Sequence, residues 1–401
     1  MRGPYYLDLK ENEIKKLCAQ IGCDPLGQEI MLNKVKIMPL YIKEVPSPAA
    51  NILKQHLLSL GGDVVVARGV VNCSQKESSI LLLGTRRHYR ALVDKIAYQP
   101  WGLKSLSERL HKLLTHLGSS KPLLWSWGEK KLVLGQGTLI MGILNLTPDS
   151  FSDGGKFMDP QLAVEHAWQM VEAGADVIDV GAESTRPGYQ PITAVEEIKR
   201  LNPVVEKLLE LPVPLSLDTY KAEVAAEMLA LGVNIINDIG GGLKDPHLPA
   251  VVARFQVPVI VMHSYFYREY QDVLVEVVDN LAEQAAIYQQ AGVPCEKIVI
   301  DPGIGFAKNL QENLTLIRNL VSLKSLGFPL LLGASRKTFI GELLDLPPDK
   351  RLEGSLAAAA WGILQGVDFV RVHDVEETVR LAKVLKAVQS GGDKDDFERN
   401  N

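Results

Sequence analysis

Ile140-Met-Gly-Ile-Leu-Asn145-Leu-Thr-Pro-Asp149-Ser-Phe-Ser-Asp153-Gly-Gly155 reads as an apolar strand that stops at one amide, Asn145, and opens into a polar loop. The loop holds acids, hydroxyls, a proline and a closing glycine pair, residue types that also build ordinary turns. Repetition changes the reading. The same apolar run with a polar tip recurs down the chain, which is how barrel enzymes present chemistry at the C-terminal ends of their strands.

Eight strand-like runs are counted from Thr138 onward: 139–144, 177–180, 215–217, 234–236, 257–262, 298–300, 329–332 and 369–372. Helical periodicity fills the intervals at 162–173, 195–209, 222–231, 273–291, 314–323 and 352–365, with a last helix at 376–388. Strands apolar on both faces and alternating with helices predict a covered parallel sheet. Eight repeats in about 250 residues predict a (β/α)8 TIM barrel. An open doubly wound sheet would bring a glycine-rich phosphate turn after its first strand, and no GxGxxG stands there.

The strand tips, taken in order, are Asn145, the run Gly181 to Gly188, Asp218-Thr219, Asn237-Asp238, Met262-His263, the run Asp301 to Phe306, Ser335-Arg336-Lys337 and Arg371 to Asp374. Any one of them could be a helix cap. As a set they line one mouth. Asp218, Asp301, Asn237 and Lys337 at its centre suit a flat, nitrogen-rich heterocycle, since charges held that deep need partners. The bland alternative is a buried Asp–Lys ion pair. Arg186, Arg371 and His373, with Asn145 nearby, form a cationic rim-like cluster that suits phosphate, and a carboxamide oxygen can ligate Mg²⁺ beside phosphate oxygens. A hydrated salt-bridge network is the alternative there. His263 reads as a packed strand-end residue, and Ser335 has Arg336 beside it rather than an activating base.

The first 117 residues have another rhythm, with strand-like runs at 5–9, 34–43, 64–71 and 79–83 and helical ones at 12–21, 49–60, 86–97 and 103–117. They predict a small α/β N-terminal domain of unassigned role. A linker at 118–123 then leads to the barrel domain, 124–390, and a polar tail at 391–401 is expected to be disordered. A hairpin bearing Trp125 and Trp127 is expected just before the first barrel strand. A net charge of −5 and no basic stripe argue against nucleic acid. No apolar run reaches the roughly 18–20 residues of a membrane span, and the N-terminus lacks a signal-peptide core. Four cysteines without metal spacing read as free thiols, so the expected compartment is the cytoplasm.

Segments 140–155, 181–188, 216–219, 235–238, 301–308, 333–341 and 371–374 together resemble the motif set of the dihydropteroate synthases. The resemblance spans the barrel and implies a pterin-binding transferase of folate biosynthesis and a sulfonamide target. Its substrates would be 6-hydroxymethyl-7,8-dihydropterin pyrophosphate and 4-aminobenzoate, with Mg²⁺ as cofactor and a homodimer as the assembly. It places Asp218, Asn237, Met262, Asp301 and Lys337 at the pterin, and Asn145, Arg186, Arg371 and His373 at the pyrophosphate. Asn145 also stands next to the metal. Phe151, Thr185, Pro187, Phe306 and Ser335 take the aminobenzoate, and Asp153, Asn145 and Lys337 take catalytic roles. The implied reaction is dissociative, through a pterin cation, so the loops 145–155 and 184–191 are expected to close and exclude water.

Three features depart from the family pattern. Ala182 and Ala307 stand where glycine is usual, and Ser264-Tyr-Phe-Tyr-Arg-Glu-Tyr270 replaces a Gly-x-Pro turn. A methyltetrahydrofolate methyltransferase would keep the pterin contacts without needing the phosphate cluster. A non-catalytic pterin-binding scaffold would show eroded loops, and both loops are intact in sequence.

Overall fold

Residues 11–117, 122–146, 159–183, 191–264 and 269–390 are described in the computed structural model, and the chain divides into two units, 1–119 and 120–401. In the first unit, β1 (Ile37–Pro46), β2 (Asp63–Val65) and β3 (Glu77–Thr85) form an antiparallel sheet in the order β1-β3-β2. Helices Ser47–Ser59, Arg86–Ile96 and Leu103–His116 supply Leu53, Leu57, Tyr89, Leu92, Ile96 and Leu106 to a core shared with Ile80 and Leu82 of β3. The strand expected over 64–71 is only half there. Asp63–Val65 pairs with β3, but Arg68–Val70 winds into a single 3-10 turn that buries Val70. Helix Pro25–Leu32 went unread in the sequence. Asp24 caps it by accepting from the Leu26 and Gly27 amides, and Pro25 fills the first turn, where no amide partner is needed. The strand expected at 5–9 lies outside the described residues, as does the tail at 391–401.

The second unit begins with a two-stranded hairpin, β4 (Leu123–Trp127) and β5 (Lys130–Leu134). Leu123 is therefore strand rather than linker, and residues 118–121 lie outside the described set. Eight strands follow: β6 (Leu139–Asn145), β7 (Val177–Gly181), β8 (Leu215–Asp218), β9 (Ile235–Asp238), β10 (Val259–Met262), β11 (Ile298–Asp301), β12 (Leu331–Leu332) and β13 (Phe369–Val372). All neighbouring pairs are parallel, in the order β11-β10-β9-β8-β7-β6-β13-β12. A parallel bridge between Ile300 and Leu330 joins the two ends, so the sheet closes into the (β/α)8 barrel.

Closure removes every sheet edge, and helices such as Pro160–Glu172, Ala194–Leu208 and Leu352–Leu364 bury the outer faces of the strands. The helix expected at 314–323 begins earlier, because Asn309 and Glu312 form a reciprocal capping box, and it breaks at Asn319 into Leu310–Arg318 and Leu320–Leu323. The hairpin plugs the bottom of the barrel. Trp125 packs with Met141, Val177, Ile235, Leu331 and Phe369, the residues at or near the N-terminal ends of their strands. Its ring stacks on Phe369 and its indole N–H donates to the Glu296 carbonyl at 3.0 Å. Chemistry is thereby confined to the opposite mouth. Among the described residues no helix is long and apolar enough to cross a membrane.

Candidate active site

β7, β8, β9 and β13 send Asp179, Asp218, Asn237 and Arg371 inward, and the four side chains meet. Arg371 of β13 donates from Nε to Asp179 Oδ2 at 2.6 Å and from Nη2 to Asp218 Oδ2 at 2.7 Å. Asn237 of β9 donates from Nδ2 to the same Asp179 oxygen at 3.0 Å. Asp218 can come this close to β7 because Gly181 has no side chain: a Cβ there would lie 3.2 Å from the Asp218 Cβ. Asp179 is fully buried, and its Oδ1 has no hydrogen-bond partner among the described residues, which marks an acceptor left over at the mouth.

Asp301 ends β11, and its Oδ1 accepts the Gly303 amide at 2.8 Å. Burial lifts its carboxyl to about 6, against the pull of the Gly303 amide and of Lys337 and Arg371. Asp218 is also raised, first by burial, then by the nearby Asp179 and Glu197, with Arg371 and Lys337 opposing. Asp179, Asp218 and Asp301 thus gather round Arg371 and Lys337, with Lys308 also acting on Asp301. A ligand rich in N–H donors would find carboxylate acceptors waiting there, the free Asp179 oxygen among them. Met262 is buried at the end of β10, beside Asp301 in the register.

Lys337 immediately precedes helix Thr338–Leu344 and lies with Nζ 4.0 Å from the centre of the Phe306 ring, its stem running over Gly305. The structure therefore joins Lys337, expected at the pterin, to Phe306, expected at the aminobenzoate. Ser335 Oγ sits 3.0 Å from His373 Nδ1 and accepts the His373 amide at 3.2 Å. The sequence expectation that no base stands near Ser335 does not hold, because His373 reaches it from the end of the next strand. Arg336, at a left-handed φ of 56°, forks onto Asp374. Arg351 donates to the Arg336 and Lys337 carbonyls, which fixes this turn from below.

Arg371 is the residue whose surroundings differ most from the sequence reading. It was grouped with Arg186 and His373 at the rim, yet its guanidinium lies deep against Asp179 and Asp218. A rim reading missed this because Asp179 itself went unread. The available signal was an acid inside the otherwise apolar run Val177-Ile178-Asp179-Val180. Asn145 ends β6, half-buried at the same mouth. Phe151, Asp153, Thr185, Arg186 and Pro187 lie outside the described residues. Asp238 points away from the mouth, accepting from Tyr288 Oη at 2.6 Å and from turn amides at Gly240 and Gly242.

For Mg²⁺, no cluster of three or more His, Cys, Asp or Glu is present among the described residues. One carboxamide at the mouth fits this ion nonetheless, because Mg²⁺ keeps several waters and takes its remaining ligands from substrate phosphates.

The pterin binding enzyme family matches residues 141–373. A dihydropteroate synthase of Clostridium beijerinckii is 48% identical over 263 residues, covering 65% of this chain and 98% of that protein. Among solved structures, the dihydropteroate synthase of Clostridium difficile determined with pteroic acid aligns with a TM-score of 0.61 at 47% identity, over 64% of this chain and 98% of that one. The enzyme of Xanthomonas albilineans in complex with 7,8-dihydropteroate gives 0.62 at 38% identity, over 67% and 99%. With its barrel matched nearly end to end by these proteins, the chain belongs to the pterin binding enzyme family, within the dihydropteroate synthases.

Proposed function

We propose that this chain is a transferase that joins 6-hydroxymethyl-7,8-dihydropterin pyrophosphate to 4-aminobenzoate, giving 7,8-dihydropteroate and pyrophosphate. The observation that carries it is the group of Asp179, Asp218, Asn237 and Arg371 beside Asp301 and Lys337 at the open mouth. The carboxylates and the amide take the N–H and carbonyl edge of the pterin, with Met262 as an apolar wall.

The bond from the pterin methylene to the pyrophosphate oxygen breaks first, and its electron pair leaves with pyrophosphate. The dihydropterin ring spreads the resulting positive charge, and buried carboxylates nearby stabilise it. The aminobenzoate nitrogen then attacks the methylene and loses a proton. No protein nucleophile takes part. Arg186, Arg371 and His373 would hold the leaving group, and Asn145 would hold Mg²⁺ beside it. Bound Mg²⁺ supplies charge neutralisation on the departing phosphate. In this reading Asp153 serves the developing cation, and Phe151, Thr185, Pro187, Phe306 and Ser335 accept the aminobenzoate, which sulfonamides would displace.

A homodimer is part of this reading, and the exposed Leu343, Leu344, Trp361 and Leu364 on two barrel helices offer apolar surface for it. A cytoplasmic location goes with the same pathway. The deciding experiment is pyrophosphate release from purified protein given the dihydropterin pyrophosphate, Mg²⁺ and 4-aminobenzoate. Release that requires aminobenzoate and yields dihydropteroate is expected; tight pterin binding without release would overturn the reading.

A further inference from the structure

Lys308 belongs to none of the subsites above, yet it closes the turn that follows β11. Its ammonium donates to the Gly303 carbonyl at 3.0 Å and the Phe306 carbonyl at 3.1 Å, and it lies 3.1 Å from His263 Nδ1. Two carbonyls accept from this ammonium, and the His263 ring nitrogen completes the set around it. His263 is fully buried at the end of β10, and its Nε2 lies 3.3 Å from the side-chain amide of Asn280 on helix Val273–Gln290. The turn is thereby tied to a strand tip and, through it, to a helix.

The turn needs holding. Gly303, Gly305 and Ala307 all have left-handed φ, at 65°, 79° and 46°, and Ala307 lacks the glycine that makes such a conformation easy. A Cβ on Gly303 would meet the His263 carbonyl at 2.3 Å, so the two turns are in close backbone contact. Phe306, at the crest, presents the ring on which Lys337 rests.

We propose that Lys308 is a positioning residue for the aminobenzoate subsite: clamping the Gly303 and Phe306 carbonyls to His263, it fixes the Phe306 ring. This rests on the function proposed above. The charged or titratable groups facing the clamp are Asp301, Glu312, Lys337 and His263. Burial brings the Lys308 ammonium down to about 7, with Asp301 and Glu312 pulling upward and Lys337 pushing further down. One donor is therefore lost as pH rises through that value.

The test uses the full chain with Lys308→Met and, should that variant misfold, Lys308→Gln, which keeps N–H donors on a shorter stem. Releasing these two half-buried carbonyls is expected to raise the KM for 4-aminobenzoate about tenfold, the factor that ~1.4 kcal/mol represents. The kcat and the affinity for dihydropterin pyrophosphate should stay close to wild type, and amide hydrogen exchange across 302–307 should accelerate. In wild type the aminobenzoate KM should climb above pH about 7, and in Lys308→Arg this climb should be absent. Equal losses for both substrates with a lowered Tm would make the residue merely structural and overturn the proposal. So would an unchanged KM with unchanged exchange. If wild type makes no dihydropteroate, the functional reading falls, and the exchange experiment alone decides the clamp.

Discussion

Asp179 and Arg371 meet at 2.6 Å between strands that are not neighbours, β7 and β13, with β6 running between them. The pair bridges β6 and sets the position of two further groups, since Asn237 donates to the same carboxylate and Asp218 takes the other end of the guanidinium.

Asp179→Asn keeps the shape and removes the charge. Breaking a buried ion pair costs about 3–5 kcal/mol, and the lower end is expected because Asp218 still faces Arg371. Turnover should fall further than stability implies, by about a hundredfold, because misplacing substrate-positioning groups by an ångström has that effect. Urea denaturation and steady-state assays read the two losses separately. A variant with turnover within about twofold of wild type would show that Asp179 does not set Asn237 and Arg371.

Asp301 gives a pH prediction with a definite sign. Its folded-state carboxyl titrates at about 6 and its ordinary value is 3.8, so the folded state binds its proton more tightly than the unfolded state does. Its stabilising contribution is present below about pH 3.8 and is lost as pH rises to about 6. Asp301→Asn removes that loss. Without ligand the variant should be more stable than wild type at pH 7.5, by on the order of 2–3 kcal/mol, and the gap should close toward pH 4. Pterin affinity should fall in wild type below pH about 6, as the carboxylate that accepts N–H groups is protonated, and stay weak and flat in the variant. Calorimetric melts and pterin titrations across pH 4 to 8 check both; a variant less stable at pH 7.5 would contradict the burial argument.

Trp125 tests the separation of the two barrel ends. It is 5% exposed, stacked on Phe369 and bonded to the Glu296 carbonyl, all at the bottom. Trp125→Ala should cost about 3–5 kcal/mol through the cavity it leaves. Below the melting transition kcat should stay near wild type, because the site is built from the opposite strand ends. A thermal melt paired with an assay at 25 °C measures this; a large drop in kcat in still-folded protein would mean that the bottom layer is coupled to the mouth.

The strands were legible because a barrel strand must be apolar on both faces, and eight such runs with polar tips leave little room for another sheet. Their edges were less so. The strand expected from 257 begins at Val259 because Pro258 offers no amide to the ladder, and β12 shortens to Leu331–Leu332. The site was read where chemistry stands at strand ends, as at Asp218, Asn237, Asp301 and Lys337. Asp179 was passed over because it lies inside a strand, where only pairing across the barrel explains an acid. Likewise, the Ser335–His373 contact joins residues 38 apart in sequence, a distance no local pattern encodes.

Two positions in the turn after β11 should respond in opposite directions to changes of one methyl group. Ala307 holds φ of 46°, where its Cβ crowds the backbone, and the position is exposed, so Ala307→Gly removes strain without opening a cavity. Set against the extra entropy that glycine gives the unfolded chain, a gain of about 1 kcal/mol is expected, seen as a rise of a few degrees in Tm with activity retained. Gly303 also has a left-handed φ, at 65°, but a Cβ there would sit 2.3 Å from the His263 carbonyl, which is backbone and cannot swing aside. Gly303→Ala must push the turn off β10, carrying with it the amide that Asp301 accepts. Loss of pterin binding and a lowered Tm should follow together. Equal and small effects at both positions would mean that the turn is loosely held, and that the approach of β10 to this turn contributes nothing to the site.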